Sequence, residues 1–215
     1  MDTESSILAN LVGDTDGIVR SADRRLAVGA VLIAENEEDE ILLVTKASKP
    51  GYEFGRLDVL PGGLLRFPIP GPISRDHVSR IALASITSRV QAEAGYLGDL
   101  SAERLSLAPV PTTSYFDRGR QQYVLVLPYV SSKLLRFVPN PSDSSVIAAR
   151  WSNPILGFTK LAPANRVIVA FFIWPRLDLT ARAACRLAVD EAIADTSEWA
   201  RQVDVEPVSA NWLNR

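Results

Sequence analysis

The segment that most constrains the fold is SRDHVSRIALASITSRVQAEAG, residues 74–95. Its apolar side chains recur at spacings of three and four, which places them on one face of a helix. These side chains are Val78, Ile81, Ala82, Ile86 and Val90. Ser74 is a suitable N-cap residue, and Gly95 is a suitable C-terminal stop. We therefore predict one amphipathic helix between these two residues.

Segments rich in Val, Leu and Ile predict strands on both sides of this helix. The predicted strands cover residues 25–35, 41–47, 105–116, 121–130 and 146–154. The charged turn NEEDE joins the first two, so we expect them to form a hairpin. Residues 57–65 predict a short strand broken at a Pro-Gly-Gly sequence, and three prolines within residues 66–74 predict a stiff loop.

The two ends of the chain differ in character. Residues 1–22 lack clear periodicity and predict a loose lead-in, whereas the Ala-rich residues 178–203 predict a helix. Residues 164–174 fit either a helix or a buried strand, because their apolar run has no decisive period. Strands, helix, strands and helix in this order predict an α/β sandwich. We expect one domain over 1–215, with its core at 24–175.

The order of these elements resembles that of the Nudix hydrolase family. Two strands, the LPGG of residues 60–63, a helix closed by Gly95, and a later strand with Arg150 and Trp151 follow one another as they do in that family. The resemblance implies a Nudix-type α/β/α sandwich of mixed sheet, with the C-terminal helix added to it.

The resemblance also implies a metal site on the helix, and here the sequence departs from the family. The family's box is written G-x5-E-x7-R-E-U-x-E-E-x-G-U, where U is a bulky apolar residue. Carboxylates three and four residues apart share a helical face, where they hold Mg²⁺ against the substrate's phosphates. Arg80, Arg89 and Ala92 stand at three of the four carboxylate positions. Glu93 keeps the fourth. We therefore expect no catalytic residue, no cofactor and no metal, with Glu93 the one matching ligand if Mg²⁺ binds after all.

The favoured interpretation of Glu93 is a surface ion pair with Arg89, which lies four positions earlier. More distant acids could rebuild a metal site in principle; these are Asp76, Asp99 and Asp117. His77 is the only histidine of the chain, and its place in the first turn of the helix predicts a solvated side chain.

Aromatic and arginine side chains are interleaved at residues 51–56 and 112–123, and further arginines lie in the proline loop and on the helix. Aromatic faces stack on bases, and guanidinium groups bind phosphates. The candidate ligand-binding residues are Tyr52, Phe54, Arg56, Arg66, Arg80, Arg89, Tyr115, Phe116, Arg118, Arg120 and Tyr123. An ordinary hairpin with strand aromatics is the alternative for the last five.

Composition excludes several classes of function. The 215 residues include 23 basic and 25 acidic side chains, a net charge of −2, so bulk nucleic-acid binding is not expected. The single cysteine, Cys185, can form neither an intrachain disulfide nor a Cys-rich zinc site. The apolar run at 167–174 is far shorter than the roughly 20 residues of a membrane helix, and the N-terminus does not resemble a secretory signal. We expect a cytoplasmic protein with no membrane segment within this chain.

These observations favour a binding module that senses a nucleotide or cyclic nucleotide without hydrolysing it. Degenerate members of the resembled family act as sensors, including a group associated with bacterial anti-phage systems that signal by cyclic nucleotides. One alternative is a Mg²⁺-dependent hydrolase of a nucleoside diphosphate derivative with a rearranged metal site. Another is a structural or interaction subunit, and a homo-oligomer remains open. The expected partner is a nucleotide-type small molecule.

Overall fold

The computed structural model describes residues 10–22, 26–47, 57–100, 105–108, 113–117, 122–131 and 135–202. For residues 75, 113–117 and 193–202 it describes the backbone but not the side chains. The strands are β1 (Leu11–Gly13), β2 (Val19–Ser21), β3 (Leu26–Ile33), β4 (Ile41–Lys46), β5 (Asp58–Val59), β6 (Gly62–Leu64), β7 (Gly71–Ile73), β8 (Leu105–Leu107), β9 (Thr113–Asp117), β10 (Gln122–Ser131) and β11 (Val146–Ser152). The helices are α1 (Arg75–Ala94), α2 (Pro163–Ile173) and α3 (Leu179–Gln202), with single 3₁₀ turns at Phe158–Lys160 and Trp174–Arg176.

A mixed sheet forms the centre of the fold. Its strand order is β7-β1-β2-β3-β10-β8, with β6 also paired to β3 and β9 also paired to β10. β3 and β10 run parallel, in a register that sets Leu26 opposite Tyr123 and Ile33 opposite Val130. The other strand pairs of this sheet are antiparallel.

The two central strands send alternate side chains to opposite faces, as the pleat of a strand requires. Val28, Ala30 and Leu32 of β3 belong to one apolar core, which also contains the buried stripe of α1. Ala27, Val31 and Ile33 belong to a second core, which α2 and α3 cover. The predicted α/β sandwich, with helices on both faces of a mixed sheet, is confirmed.

α1 forms as the sequence predicts. The Ser74 hydroxyl accepts a hydrogen bond from the His77 N–H at 3.4 Å, and Gly95 ends the helix at φ 75°, with its N–H bonded to the Gln91 carbonyl at 2.9 Å. Four residues of the predicted stripe are buried, namely Val78, Ala82, Ile86 and Val90. Ile81 is partly buried against the same core. The remaining surface of α1 is therefore largely exposed to solvent.

The predicted hairpin of β3 and β4 is wrong. β4 belongs to a separate three-stranded sheet of order β11-β4-β5. The chain does turn back between them, with a single bridge from Glu35 to Ile41 and a bond from the Leu42 N–H to the Ala34 carbonyl at 3.0 Å. The reason is that β10, β2 and β6 already occupy the edges of β3, so that β4 must pair elsewhere.

The predicted lead-in at 1–22 and the predicted proline loop at 66–74 both contain strands instead. β1 pairs with β2 and with β7, and Val12 lies opposite Pro72 in the β1–β7 register. Proline cannot donate to a ladder, but β7 is the last strand of the sheet, where a missing N–H costs little. Local periodicity could not reveal these strands, because each has three residues.

Residues 164–174, which fitted either a helix or a strand, are helical, and the helix predicted at 178–203 is confirmed. α2 begins with Pro163 at its first turn, which suits the fixed φ of proline. α3 packs Cys185 and Val189 into the second core, and burial raises the pKa of the Cys185 thiol to about 11. Among the described residues, no helix is both long enough and apolar enough to cross a membrane.

The predicted break at residues 61–63 is itself part of the sheet. Gly62 and Gly63 lie in β6, opposite Val31 and Ala30 of β3. Gly62 has φ 155°, and a Cβ there would lie 2.2 Å from the Ala30 carbonyl oxygen. Glycine is thus needed at residue 62 both for its backbone conformation and for the close approach of the two strands.

Gly62→Ala should lower the free energy of unfolding by more than about 3 kcal/mol, because it adds a backbone clash to an unfavourable φ. Gly71→Ala is the matched control. Gly71 has φ 130°, and a Cβ there would meet no atom within 4 Å, so its loss should be about 1 kcal/mol from the backbone alone. Urea unfolding measures both values, and equal losses would show that the close approach at Gly62 carries no cost.

Candidate functional site

A groove of about 570 Å³ runs along the exposed face of α1. Its basic side chains are Arg66, His77, Arg80 and Arg89, and its apolar wall includes Leu64 and Ile81. The helical residues among them line one side of α1 next to the buried stripe, to which Ile81 itself contributes. We call this cavity the arginine groove.

The electrostatic character of the arginine groove is one-sided. Among the described residues, none of the side chains lining the groove is acidic. Arg66 and Arg80 are exposed, and Arg89 is half-buried. Guanidinium groups facing one cavity with no nearby carboxylate in its wall favour an anionic occupant. The structure thus brings together three of the predicted ligand-binding arginines, and their binding of a ligand remains a prediction.

A second cavity of about 130 Å³ lies beside the groove. The two cavities share Leu64, Arg66 and Arg89. The smaller one, which we call the inner pocket, adds Lys46 and Glu93 to its wall, together with apolar residues of β3 and β10. Its wall therefore includes residues of the central sheet as well as of α1.

Glu93 is the buried acid of the inner pocket, with 0% of its surface exposed. Its Oε1 accepts a hydrogen bond from the Lys46 ammonium, and its Oε2 accepts one from the Gly62 N–H at 3.1 Å. Arg89 Nη1 lies farther away, at 3.8 Å from Oε1. The predicted ion pair of Glu93 with Arg89 is present, but the prediction that it lies on the surface is wrong, because Glu93 is buried. Lys46, which the prediction did not include, is the nearest cation.

Charges of both signs meet around Arg89. Its Nη1 lies 3.6 Å from Oδ2 of Asp143. Hydrogen bonds from Ser145 lower the pKa of the Asp143 carboxyl, and the charges of Lys46 and Arg89 lower it further. Burial raises the pKa of Glu93, against the opposing effects of the Lys46 charge and hydrogen bond. The cluster therefore contains two cations and two acids, each acid being held by N–H donors.

This donor set does not fit Mg²⁺. The ion needs several oxygen ligands in near-octahedral geometry, whereas both oxygens of Glu93 accept from N–H groups. In the part of the chain that the structure describes, no group of three or more His, Cys, Asp or Glu side chains could hold a metal. Asp76 lies at the opposite end of α1 from Glu93, and Asp99 is exposed. The side chain of Asp117 is outside the described set.

Eight other residues are predicted to bind the ligand. Five of them, Tyr52, Phe54, Arg56, Arg118 and Arg120, lie outside the described residues. Tyr115 and Phe116 are placed on β9 by their backbone alone, and Tyr123 is half-buried at the start of β10, opposite Phe116. Tyr123 is absent from the described walls of both cavities.

Lys46 is the site residue that the sequence interpretation missed. It ends β4, whose residues Leu42 and Val44 are buried. Because strand side chains alternate, residues 42, 44 and 46 point to the same side. A lysine in phase with two buried residues at a strand end is a signal for an inward-facing cation that needs an acid partner.

A polar network fixes the end of β4 next to Lys46. The Thr45 hydroxyl donates to Oδ1 of the buried Asp58 at 2.6 Å, and Arg150 Nη1 donates to Thr45 Oγ1 at 2.9 Å. Arg150 also forms an ion pair with Asp58. The arginine of the Arg150–Trp151 pair therefore has a structural role, since it ties β11, β4 and β5 together and so positions the neighbouring lysine.

The sequence matches no known family model and no curated protein. Among solved structures, the chain is similar to the MutT protein from Methanosarcina mazei Go1, with 15% sequence identity and a TM-score of 0.49, over 71% of this chain and 96% of that one. A bifunctional NMN adenylyltransferase/ADP ribose pyrophosphatase from Francisella tularensis shows 16% identity and a TM-score of 0.46, over 69% of this chain and 40% of that one. The NUDIX domain of Shewanella oneidensis NrtR, complexed with ADP ribose, shows 17% identity and a TM-score of 0.42, over 66% of this chain and 80% of that one. Similarities at this level do not assign the chain to a family.

Lys46→Met should lower the free energy of unfolding by about 3–5 kcal/mol, because it leaves the Glu93 carboxylate buried without its cation. Adding Glu93→Gln should recover most of this loss, since the amide oxygen can still accept from Gly62 and no charge stays buried. Urea unfolding at neutral pH measures both variants.

The control for this pair is Lys160→Met, at an exposed lysine, which should change stability by less than about 0.5 kcal/mol. If the double variant were as unstable as Lys46→Met alone, the loss would not come from an uncompensated Glu93.

Proposed function

We propose that this chain binds a nucleotide-type ligand through its phosphates in the arginine groove, without a metal ion and without hydrolysing it. The observation that carries the proposal is the groove wall, where Arg66, Arg80 and Arg89 line one cavity with no acid among its described lining residues. Such a module would serve as a sensor of a linear or cyclic nucleotide.

The dimensions of the groove support a ligand larger than a single phosphate. Its volume of about 570 Å³ falls within the range of about 300–1,000 Å³ that is typical of small-molecule sites. The arginines offer planar, charge-assisted hydrogen bonds to phosphate oxygens. Leu64, Ile81 and Ala84 provide an apolar stretch for a base or a sugar face.

The absence of hydrolysis is proposed from the state of the acids. Attack on a diphosphate is commonly assisted by metal ions that carboxylates hold beside the phosphates. The two acids close to Arg89 are Glu93 and Asp143, and each is engaged by N–H donors or cations. A ligand with its own negative charge would instead meet the guanidinium groups directly. The similarity in element order to the Nudix family is consistent with a nucleotide site at this helix.

The proposal is tested by thermal unfolding of the full chain with AMP, ADP, ADP-ribose and cyclic AMP, each in excess MgCl₂ or in EDTA. A ligand at 100 times its Kd stabilises the folded state by about 2.7 kcal/mol, which for a chain of this size raises Tm by about 5–10 °C. The shift should be the same in Mg²⁺ and in EDTA, and the nucleotide should be recovered intact. Mg²⁺-dependent release of a nucleoside monophosphate would overturn the proposal in favour of a hydrolase.

Arg80→Ala and Arg66→Ala should each weaken the binding of the ligand found in that screen by about tenfold or more, because each removes charge-assisted hydrogen bonds to phosphate. Arg186→Ala is the matched control, since Arg186 is an exposed arginine on α3. Titration calorimetry measures all three. Unchanged affinity in both groove variants would place the ligand elsewhere.

A further inference from the structure

The inner pocket contains a charge arrangement that the proposed phosphate-binding groove does not by itself explain. Lys46 reaches into the sandwich with 14% of its side chain exposed and contacts Glu93, whose side chain is 1% exposed. An ammonium group has three N–H donors, and the Glu93 carboxylate accepts from one of them. Because Lys46 also lines the inner pocket, its cation lies between a buried acid and a cavity.

We propose that the Lys46 ammonium is a tethered cation, which takes the place of a metal ion beside Glu93 and binds a phosphate group of the ligand from the inner pocket together with Arg89. This inference rests on the proposed function for its ligand. The part that concerns Lys46 in place of a metal ion beside Glu93 does not depend on a nucleotide.

The size of the inner pocket supports a single phosphate group as its occupant. Its volume of about 130 Å³ is less than a quarter of the groove's 570 Å³, so it suits the smaller part of a ligand whose larger part lies in the groove. The charged side chains in its described wall are Lys46, Arg66, Arg89 and Glu93. Glu93 and the neighbouring Asp143 balance two of these three cations, so one positive charge is left over to favour an anion.

Two arginines line both cavities, which supports one ligand that reaches both. Arg66 and Arg89 belong to both walls, so a molecule lying along α1 can extend a phosphate past them. Gly63 allows Arg89 to lie close to β6, because a Cβ at residue 63 would lie 3.1 Å from Arg89 Nε. The guanidinium can therefore lie against the backbone of β6, with Asp143 at 3.6 Å on its other side.

The tethered cation does electrostatically what a divalent ion does between a carboxylate and a phosphate. Two single charges, on Lys46 and Arg89, stand near Glu93 in place of one double charge. Their positions are set by β4 and α1 rather than by coordination geometry. A divalent ion entering here would be repelled by both cations at short range.

The first test concerns metal binding and needs no nucleotide. Wild-type protein should bind no Mn²⁺ in electron paramagnetic resonance titrations. The combination of Lys46→Met with Arg89→Glu removes both cations and sets a third carboxylate beside Glu93 and Asp143, so it should bind Mn²⁺. Its matched control combines Lys46→Met with Arg80→Glu, which has the same net charge but places the new acid about 14 Å along α1. That control should not bind Mn²⁺.

Folded Lys46→Met/Arg89→Glu protein without Mn²⁺ binding would overturn the claim that Lys46 takes a metal position. If that variant does not fold, the wild type still decides the matter. Mn²⁺ that broadens the amide resonance of Gly62, whose N–H contacts Glu93, would overturn the claim, and an unaffected resonance would support it.

The second test concerns the phosphate and uses the ligand found in the screen, together with inorganic pyrophosphate as a probe. Lys46→Met/Glu93→Gln removes the ion pair without changing the net charge of the pocket and should stay folded. It should weaken binding about tenfold or more, whereas Lys46→Arg should keep most of the affinity. A merely structural ion pair would leave affinity unchanged in the double variant, and that result would overturn the phosphate contact. If no nucleotide or pyrophosphate binds the wild type at all, the proposed function and the phosphate contact fail together, while the Mn²⁺ experiment still decides the role of Lys46.

Discussion

The site depends on how the chain compensates one buried carboxylate. Glu93 lies in the last turn of α1, against the sheet, where an unpaired charge would cost several kcal/mol. Lys46 from β4 and the Gly62 N–H from β6 provide the compensation. Glu93, Lys46 and Gly62 belong to a helix and to strands of two different sheets. The single carboxylate therefore links the parts of the fold that frame both cavities.

α1 also has two regions of opposite character. The buried stripe, built on Ala82, Ile86 and Val90, holds the helix to the sheet, while the exposed side presents arginines to the groove. The net charge of −2 for the whole chain conceals this local surplus of positive charge. The net charge of the whole chain therefore gives no information about whether a small anionic ligand binds.

Local sequence patterns are sufficient to predict those helices and strands whose signals lie within a single segment. α1 carries its period, its Ser74 cap and its Gly95 stop within one segment, and all three are confirmed. The strands at residues 26–33 and 122–131 have long apolar runs and are also predictable. The short strands β1, β2 and β7 are not, because their stability comes from partners distant in sequence. Lys46 and Glu93 are 47 residues apart, and no local pattern connects them.

The parallel pairing of β3 with β10 has a consequence for how the molecule is made. Six strands of the described chain, together with α1, lie between these two partners, so the central contact can close only after most of the polypeptide has left the ribosome. Long-range parallel pairing of this kind slows folding, because a large loop must be ordered before its contacts form. Until β10 pairs with β3, one edge of β3 is open to strands of other chains. The nascent chain is therefore more prone to aggregate than the folded protein.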